Sequence, residues 1–215
     1  MVKVLKFLFD IFCPRTCVAC GQWGNFICEV CGDSVVVGDG QALKLAQSQY
    51  LDGVWAVAQY QGVMKILIKQ LKYKHLRDLA AVGGHYIWQM GRLPKADWIS
   101  FVPIHRRRYL ERGFNQSRAL AEEVSRLSAL PLYPLLKRVL YREKQAASKD
   151  LMERLSKIRG VFALSKQVAV KDLAGKKIVL IDDVVTTGST LNECARVLKK
   201  AGVAKVWAVC LAHGQ

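Results

Sequence analysis

The sequence predicts an α/β fold: a mostly parallel sheet flanked by helices, preceded by a small cysteine-rich module. Three observations predict it. Apolar strand-like runs alternate with amphipathic helical stretches between residues 54 and 211, the pattern of strands joined by helical crossovers. The run IVLI at residues 178–181 is apolar at every position, as a strand buried on both faces must be. Five of the seven cysteines stand within residues 13–31, a stretch too short to bury a core of its own.

The whole chain sets the frame. Its 215 residues allow one full domain plus a small one. Residues 1–35 are expected to hold a short helix and the cysteine module, 36–50 a linker of mixed polar and small residues, and 51–215 the large domain. Lys and Arg number 33 against 17 Asp and Glu, a net charge of +16. Such a charge suits a polyanionic partner: nucleic acid, anionic lipid or a phosphate-rich substrate.

The opening MVKVLKFLFDIF places Val4, Leu5, Leu8 and Ile11 on one helical stripe, predicting a short amphipathic helix packed on the protein; membrane contact is the lesser alternative. The stretch is too short to span a bilayer. Asp10 interrupts it and no A-x-A-like site follows, so it is not read as a signal peptide. No other segment approaches a membrane span. The expected location is cytoplasmic, without stable membrane insertion.

Cys17-x2-Cys20 and Cys28-x2-Cys31 are two chelating pairs, and two pairs complete a tetrahedron around one zinc ion. Gly21 and Gly32 follow the second cysteine of each pair, where a tight turn favours positive φ. Zinc would supply the folding energy of so short a segment. Clustered thiols in a reducing compartment argue against disulfides. With four cysteines on the metal, no position is left open for catalysis. Cys13 either replaces a member of the four or is a free thiol. Cys194 and Cys210 are expected in the core. The zinc module and the large domain are expected to have separate cores.

The elements follow in order. Residues 54–60 read as a strand. Residues 62–71 read as a helix with apolar Val63, Ile66, Leu67 and Leu71, and 78–90 as a second helix. Residues 98–102 form a short buried strand stopped by Pro103. Asn115 or Ser117 caps a helix whose face is Leu120, Val124 and Leu127. After the 178–181 strand and the loop that follows it, a helix over 191–201 ends at Gly202, and 203–211 is the last strand.

At the C-terminal end of the IVLI strand stand Asp182 and Asp183, followed by Thr186, Thr187, Gly188, Ser189 and Thr190. Open α/β sheets bind ligands at that end. The turn's backbone N–H groups and hydroxyls can wrap a phosphate at a helix N-terminus. Carboxylates there make sense if they grip sugar hydroxyls of the same ligand, or a magnesium ion. A receiver domain carries its acidic pair on the first strand, whereas only 32 residues follow Asp183. A P-loop ATPase would need G-x-x-x-x-G-K-[ST], which is absent. After Val102, His105, Arg106, Arg107, Arg108 and Arg112 crowd a turn at the same sheet end; cations there can neutralise a departing pyrophosphate. Residues 137–159 carry eight Lys and Arg against three Asp and Glu. This stretch reads as a basic hood over a polyphosphate, with Arg138, Arg142, Lys144 and Arg154 as candidate contacts. A solvated basic loop and a plain surface helix over 150–158 are the alternatives.

Residues 178–190 resemble the signature of the type I phosphoribosyltransferases. The wider chain resembles the ComF family of competence proteins, which includes the ComFC and GntX-type proteins. That likeness rests on the four cysteines 17, 20, 28 and 31, LKYKH at 71–75, VPIHRRRYLERGFNQSRALA at 102–121, Gln145 and the motif at 182–190. The resemblance implies a type I phosphoribosyltransferase-like fold with an N-terminal zinc knuckle. It implies that Asp182 and Asp183 hold the ribose hydroxyls of phosphoribosyl pyrophosphate, with magnesium, and that residues 186–190 hold its 5-phosphate. The two aspartates are the candidate catalytic residues if transfer occurs. It further implies a cytosolic role in natural transformation, handling incoming single-stranded DNA, with other competence proteins as candidate partners. A nucleobase salvage phosphoribosyltransferase and a ligand-switched DNA-binding regulator are the competing readings.

Overall fold

The computed structural model describes residues 15–73, 77–90, 93–140 and 160–214. The expected N-terminal helix, Cys13, His75, Arg142, Lys144, Gln145, Arg154 and the 150–158 stretch lie outside the described residues.

The central sheet holds β1 (Gly53–Gln59), β2 (Trp98–Phe101), β5 (Lys177–Val185) and β6 (Lys205–His213) in the spatial order β1-β6-β5-β2, every pair parallel. Between β1 and β2 run α2 (Gly62–Tyr73) and α3 (Leu79–Met90), preceded in the chain by the short α1 (Glu29–Asp33). Helices α4 (Arg106–Arg112) and α5 (Gln116–Ser128) follow β2, and α6 (Ser189–Lys200) joins β5 to β6. An antiparallel ribbon of β3 (Leu136–Arg138) and β4 (Phe162–Leu164) lies apart from the sheet.

The buried strands have apolar side chains on both faces, and the period of two sorts them. Val179, Ile181, Val209 and Leu211 meet Leu67, Ile68 and Leu71 of α2, Ile87 of α3 and Leu120 and Val124 of α5. Ile178, Leu180, Val206 and Cys210 meet Leu191, Cys194 and Leu198 of α6 and the ribbon's Leu136 and Phe162. Cys194 and Cys210 are thus core residues. Helices α3 and α5 approach closely because Gly84 has no side chain: a Cβ there would lie 2.5 Å from Cβ of Glu123.

Both sheet edges are covered. Along β1, Gly38 N–H donates to Val57 O at 2.7 Å, and Leu43 N–H to Val54 O at 2.7 Å. The stretch 36–50, expected as a linker, therefore lies along the sheet. At the other edge Tyr133 N–H donates to Ile99 O at 3.0 Å.

One expectation is corrected. The cysteine module has no separate core: Val18, Ala19, Phe26 and Ile27 pack against the α2–α3–α5 core, and Gln70 of α2 donates to Val18 O at 3.2 Å. A loop built around four cysteines holds too few apolar residues to bury them on each other, so it docks them on the larger domain. Among the described residues no helix is long and apolar enough to cross a membrane.

Candidate functional site

Strand β5 carries Asp182 and Asp183 to the C-terminal edge of the sheet, both buried. What surrounds them comes from two other elements. Asn115 is the N-cap of α5: its Oδ1 accepts from the N–H groups of Ser117 at 3.0 Å and Arg118 at 3.3 Å, while its Nδ2 donates to Val102 O at 3.1 Å. The cap is therefore Asn115, and Ser117 is left free for another partner. Its hydroxyl donates to Asp182 Oδ1 at 2.7 Å, which also accepts from Asp183 N–H at 2.9 Å. From the last turn of α2, Lys72 brings Nζ within 2.5 Å of Asp183 Oδ2. Asp183 Oδ1 accepts from Val184 N–H at 2.9 Å. Among the described residues, Asp183 Oδ2 is buried and receives no hydrogen bond, with the Lys72 ammonium beside it as an ion-pair partner. Burial first, and then the adjoining charge of Asp183, push the Asp182 carboxyl up to about 7.

Beyond the acidic pair, Gly188 adopts φ +82° and begins α6 without a side-chain cap. Thr187 and Ser189 hydroxyls lie 3.0 Å apart. Ser189 N–H makes a long contact of 3.5 Å to Thr187 Oγ1, and the first turn of a helix carries further backbone donors suited to an anion. The segment before β1 backs this loop: a Cβ at Gly188 would lie 2.5 Å from Gln47 O, and Asn192 Oδ1 accepts from Tyr50 N–H at 2.8 Å. Thr186 reaches the chain end, its Cγ2 lying 3.2 Å from where a Cβ of Gly214 would stand.

The arginine run is a helix rather than a turn. His105 caps α4, accepting the Arg107 N–H at 3.2 Å, and Gly113 ends it at φ +76°. Arg112 donates to Gln116 Oε1 at 3.0 Å, one residue before Ser117, so it stands beside the acidic pair's own support. Arg107 pairs with Glu111 at 3.1 Å on the exposed side, and Arg106 is exposed too. Of the basic hood, Arg138 is described: its guanidinium lies 5.6 Å from the Phe162 ring centroid and donates to Leu140 O at 3.3 Å.

In the N-terminal module the four sulfurs of Cys17, Cys20, Cys28 and Cys31 all lie within 4.8 Å of one another, Cys20 and Cys28 at 3.6 Å. Thiolates around one zinc at ~2.3 Å would be about 3.8 Å apart, so the cluster has the size of a closed zinc site. Burial raises the Cys17 thiol, but backbone N–H groups from Cys28, Cys20 and Ala19 outweigh it and leave it at about 6. Cys31 is pushed up to about 12, first by the Cys28 and Cys20 sulfurs. A divalent cation removes that conflict between neighbouring thiolates. Gly21 has the expected positive φ, +81°. Gly32 does not, because the second pair ends inside α1.

Sequence reasoning found the acidic pair, the loop and the cysteines. It quoted Lys72 only within LKYKH, and Ser117 only as a rival cap and within the 102–121 segment, without a role at the acidic pair. The signal for Lys72 was there: a cation directly after the last residue of a buried stripe, Leu71, in the last turn of a helix preceding the sheet's ligand edge.

Comparison with known proteins adds the following. Residues 115–215 match the phosphoribosyl transferase domain, a span that opens at the Asn115 cap and includes Ser117, the acidic pair and the loop. The chain is 29% identical over 203 residues to Competence protein F of Haemophilus influenzae, covering 88% of this chain and 81% of that protein. It is 34% identical over 167 residues to the DNA utilization protein YhgH of Salmonella typhi, covering 72% of this chain and 70% of that protein. Among solved structures, the B. subtilis glutamine phosphoribosylpyrophosphate amidotransferase complexed with ADP and GMP is similar at a TM-score of 0.40 and 17% identity, over 64% of this chain and 26% of that one.

Proposed function

Because this chain belongs to the ComF family of competence proteins, we propose that it binds phosphoribosyl pyrophosphate with magnesium at the β5 edge and handles incoming single-stranded DNA in the cytoplasm during natural transformation. The observation that carries the ligand reading is the succession, on one strand–loop–helix, of a buried acidic pair and an uncapped glycine-led helix start.

The parts divide the ligand between them. Asp182 and Asp183 accept hydrogen bonds from the ribose hydroxyls. Residues 186–190 donate backbone N–H and hydroxyl groups to the 5-phosphate. Arg112, with His105, Arg106 and Arg107 on the same short helix, faces the pyrophosphate as it gathers charge. The hard carboxylate oxygens of the pair suit magnesium, which when bound supplies charge neutralisation of the pyrophosphate. The four cysteines hold zinc, whose part is structural since no ligand position stays open.

The DNA reading is supported by the +16 charge, in excess of one small ligand's need, and by relatives named for competence and DNA utilization. Calorimetric titration with phosphoribosyl pyrophosphate, with and without magnesium, tests the ligand. Magnesium-dependent binding is expected, and weaker binding by Asp183→Ala, by on the order of 1.5–3 kcal/mol for one charged hydrogen-bonding group. Wild-type affinity in that variant would assign the pair another role. Pyrophosphate release, assayed with and without added bases, separates a salvage enzyme from a ligand-responsive DNA-binding protein.

A further inference from the structure

The acidic pair is unequally served. Both of its inner oxygens have hydrogen-bond donors: Asp182 Oδ1 has Ser117 and Asp183 N–H, and Asp183 Oδ1 has Val184 N–H. Among the described residues, the Oδ2 of Asp183 is buried, receives no hydrogen bond, and faces Lys72 Nζ at 2.5 Å. An isolated buried carboxylate is strongly unfavourable without a counter-charge, so the lysine stabilises the ligand-free protein. Yet that oxygen is one that a sugar hydroxyl or a magnesium ion would have to use. An ammonium and a divalent cation cannot share it, since like charges a few ångströms apart in a low dielectric repel strongly.

We propose that Lys72 is a resident counter-ion of Asp183 that is exchanged on ligand binding: the ammonium leaves Asp183 for the anionic oxygens of the ligand as the ligand's hydroxyls or metal take its place. The proposal rests on the phosphoribosyl pyrophosphate reading. Lys72 is built for such a move. Its side chain is 19% exposed, against 7% for Asp183, so it is not locked in by packing on every side. It stands in the last turn of α2, on a flexible four-carbon stem. The carboxylate cannot follow it, because Asp183 Oδ1 and the backbone of β5 are held. The exchange also conserves charge: the site loses no cation when the ligand's metal arrives, and the ligand gains one.

The two halves of the exchange predict effects of opposite sign, which a merely structural ion pair would not give. Manganese, followed by electron paramagnetic resonance, probes the metal in the absence of ligand; calorimetry follows phosphoribosyl pyrophosphate at saturating magnesium. Lys72→Met should bind manganese alone roughly tenfold or more tighter than wild type, and phosphoribosyl pyrophosphate roughly tenfold or more weaker, the size of one charge-assisted contact. Lys72→Arg keeps the charge and should exclude manganese as wild type does. In wild-type protein carrying isotope-labelled lysine, the side-chain nitrogen signal lost in Lys72→Arg should shift on adding ligand. Unchanged or weaker manganese binding in Lys72→Met, or tight binding in Lys72→Arg, overturns the proposal; so does ligand binding that leaves the lysine signal unmoved. Should Lys72→Met fail to fold, the arginine variant and the labelled lysine decide. If wild type binds no phosphoribosyl pyrophosphate, the ligand reading falls, and the manganese arm still reports whether Lys72 screens Asp183.

Discussion

Asp182 and Ser117 form the smallest unit on which function and stability pull against each other. The folded Asp182 carboxyl titrates at about 7, above its ordinary 3.8, so the folded state holds the proton more tightly than the unfolded chain. Its contribution to stability is therefore full below the ordinary carboxylate range and is lost as pH rises through about 7. Asp182→Asn keeps an oxygen for the Ser117 hydroxyl and removes the charge. Its melting temperature should gain on wild type more at mildly alkaline than at mildly acid pH, while ligand binding falls. A gain that does not grow with pH would show that Asp182 does not carry this linkage. Ser117→Ala should cost about 1–3 kcal/mol in urea denaturation, the usual effect of stripping a donor from a buried acceptor.

At the scale of elements, the loop at residues 186–190 is wedged between a positive φ at Gly188 and the segment around Gln47. Any side chain at Gly188 meets both the strain of φ +82° and Gln47 O at 2.5 Å. The left-handed conformation alone costs a non-glycine residue roughly 1–2 kcal/mol. Gly188→Ala should therefore lower stability by more than that and weaken phosphoribosyl pyrophosphate binding, since Gln47 or the loop must shift. Thermal melts and titration measure the two together. A variant as stable as wild type would mean the segment before β1 yields without consequence. The same contact gives that segment a position against the site, alongside its hydrogen bonds to β1.

For the whole molecule, the docking of the cysteine module on the α2–α3–α5 core predicts that the proposed zinc contributes to global stability. Stripping the metal with a chelator, or Cys20→Ser, should lower the main melting transition and not merely melt a local module. An unmoved main transition would show the two units to be uncoupled. Metal analysis of the purified protein should give about one zinc per chain. The surplus positive charge predicts sequence-tolerant binding of single-stranded DNA that weakens steeply with salt, because each neutralised phosphate releases a counterion. Fluorescence anisotropy of a labelled oligonucleotide across a salt series checks it. Binding that is flat against salt, or absent at low salt, would sink the DNA-contact reading and leave a protein partner. Arg142→Glu should lower both affinity and slope if the basic stretch 137–159 carries DNA.

What the sequence determined was whatever is written in consecutive residues. The apolar run of β5, its terminal aspartates, the small-residue loop and the paired cysteines are local, and local spacing dictates strand, turn and chelate. So does the helix–strand alternation, which set the parallel α/β class. The tertiary structure decided what depends on distant segments meeting. Lys72 reaches Asp183 from α2, and Ser117 reaches Asp182 across 65 positions; no periodicity announces either. Residues 36–50, polar and small, read as a linker because their hydrogen bonds go to β1's backbone, which leaves no mark in side-chain pattern. The arginine run looked like a turn since its charges hide the His105 cap and Gly113 stop that make it a helix. The cysteine module's dependence on the larger core follows from where Val18, Ala19, Phe26 and Ile27 find apolar surface, which is a property of the assembled fold.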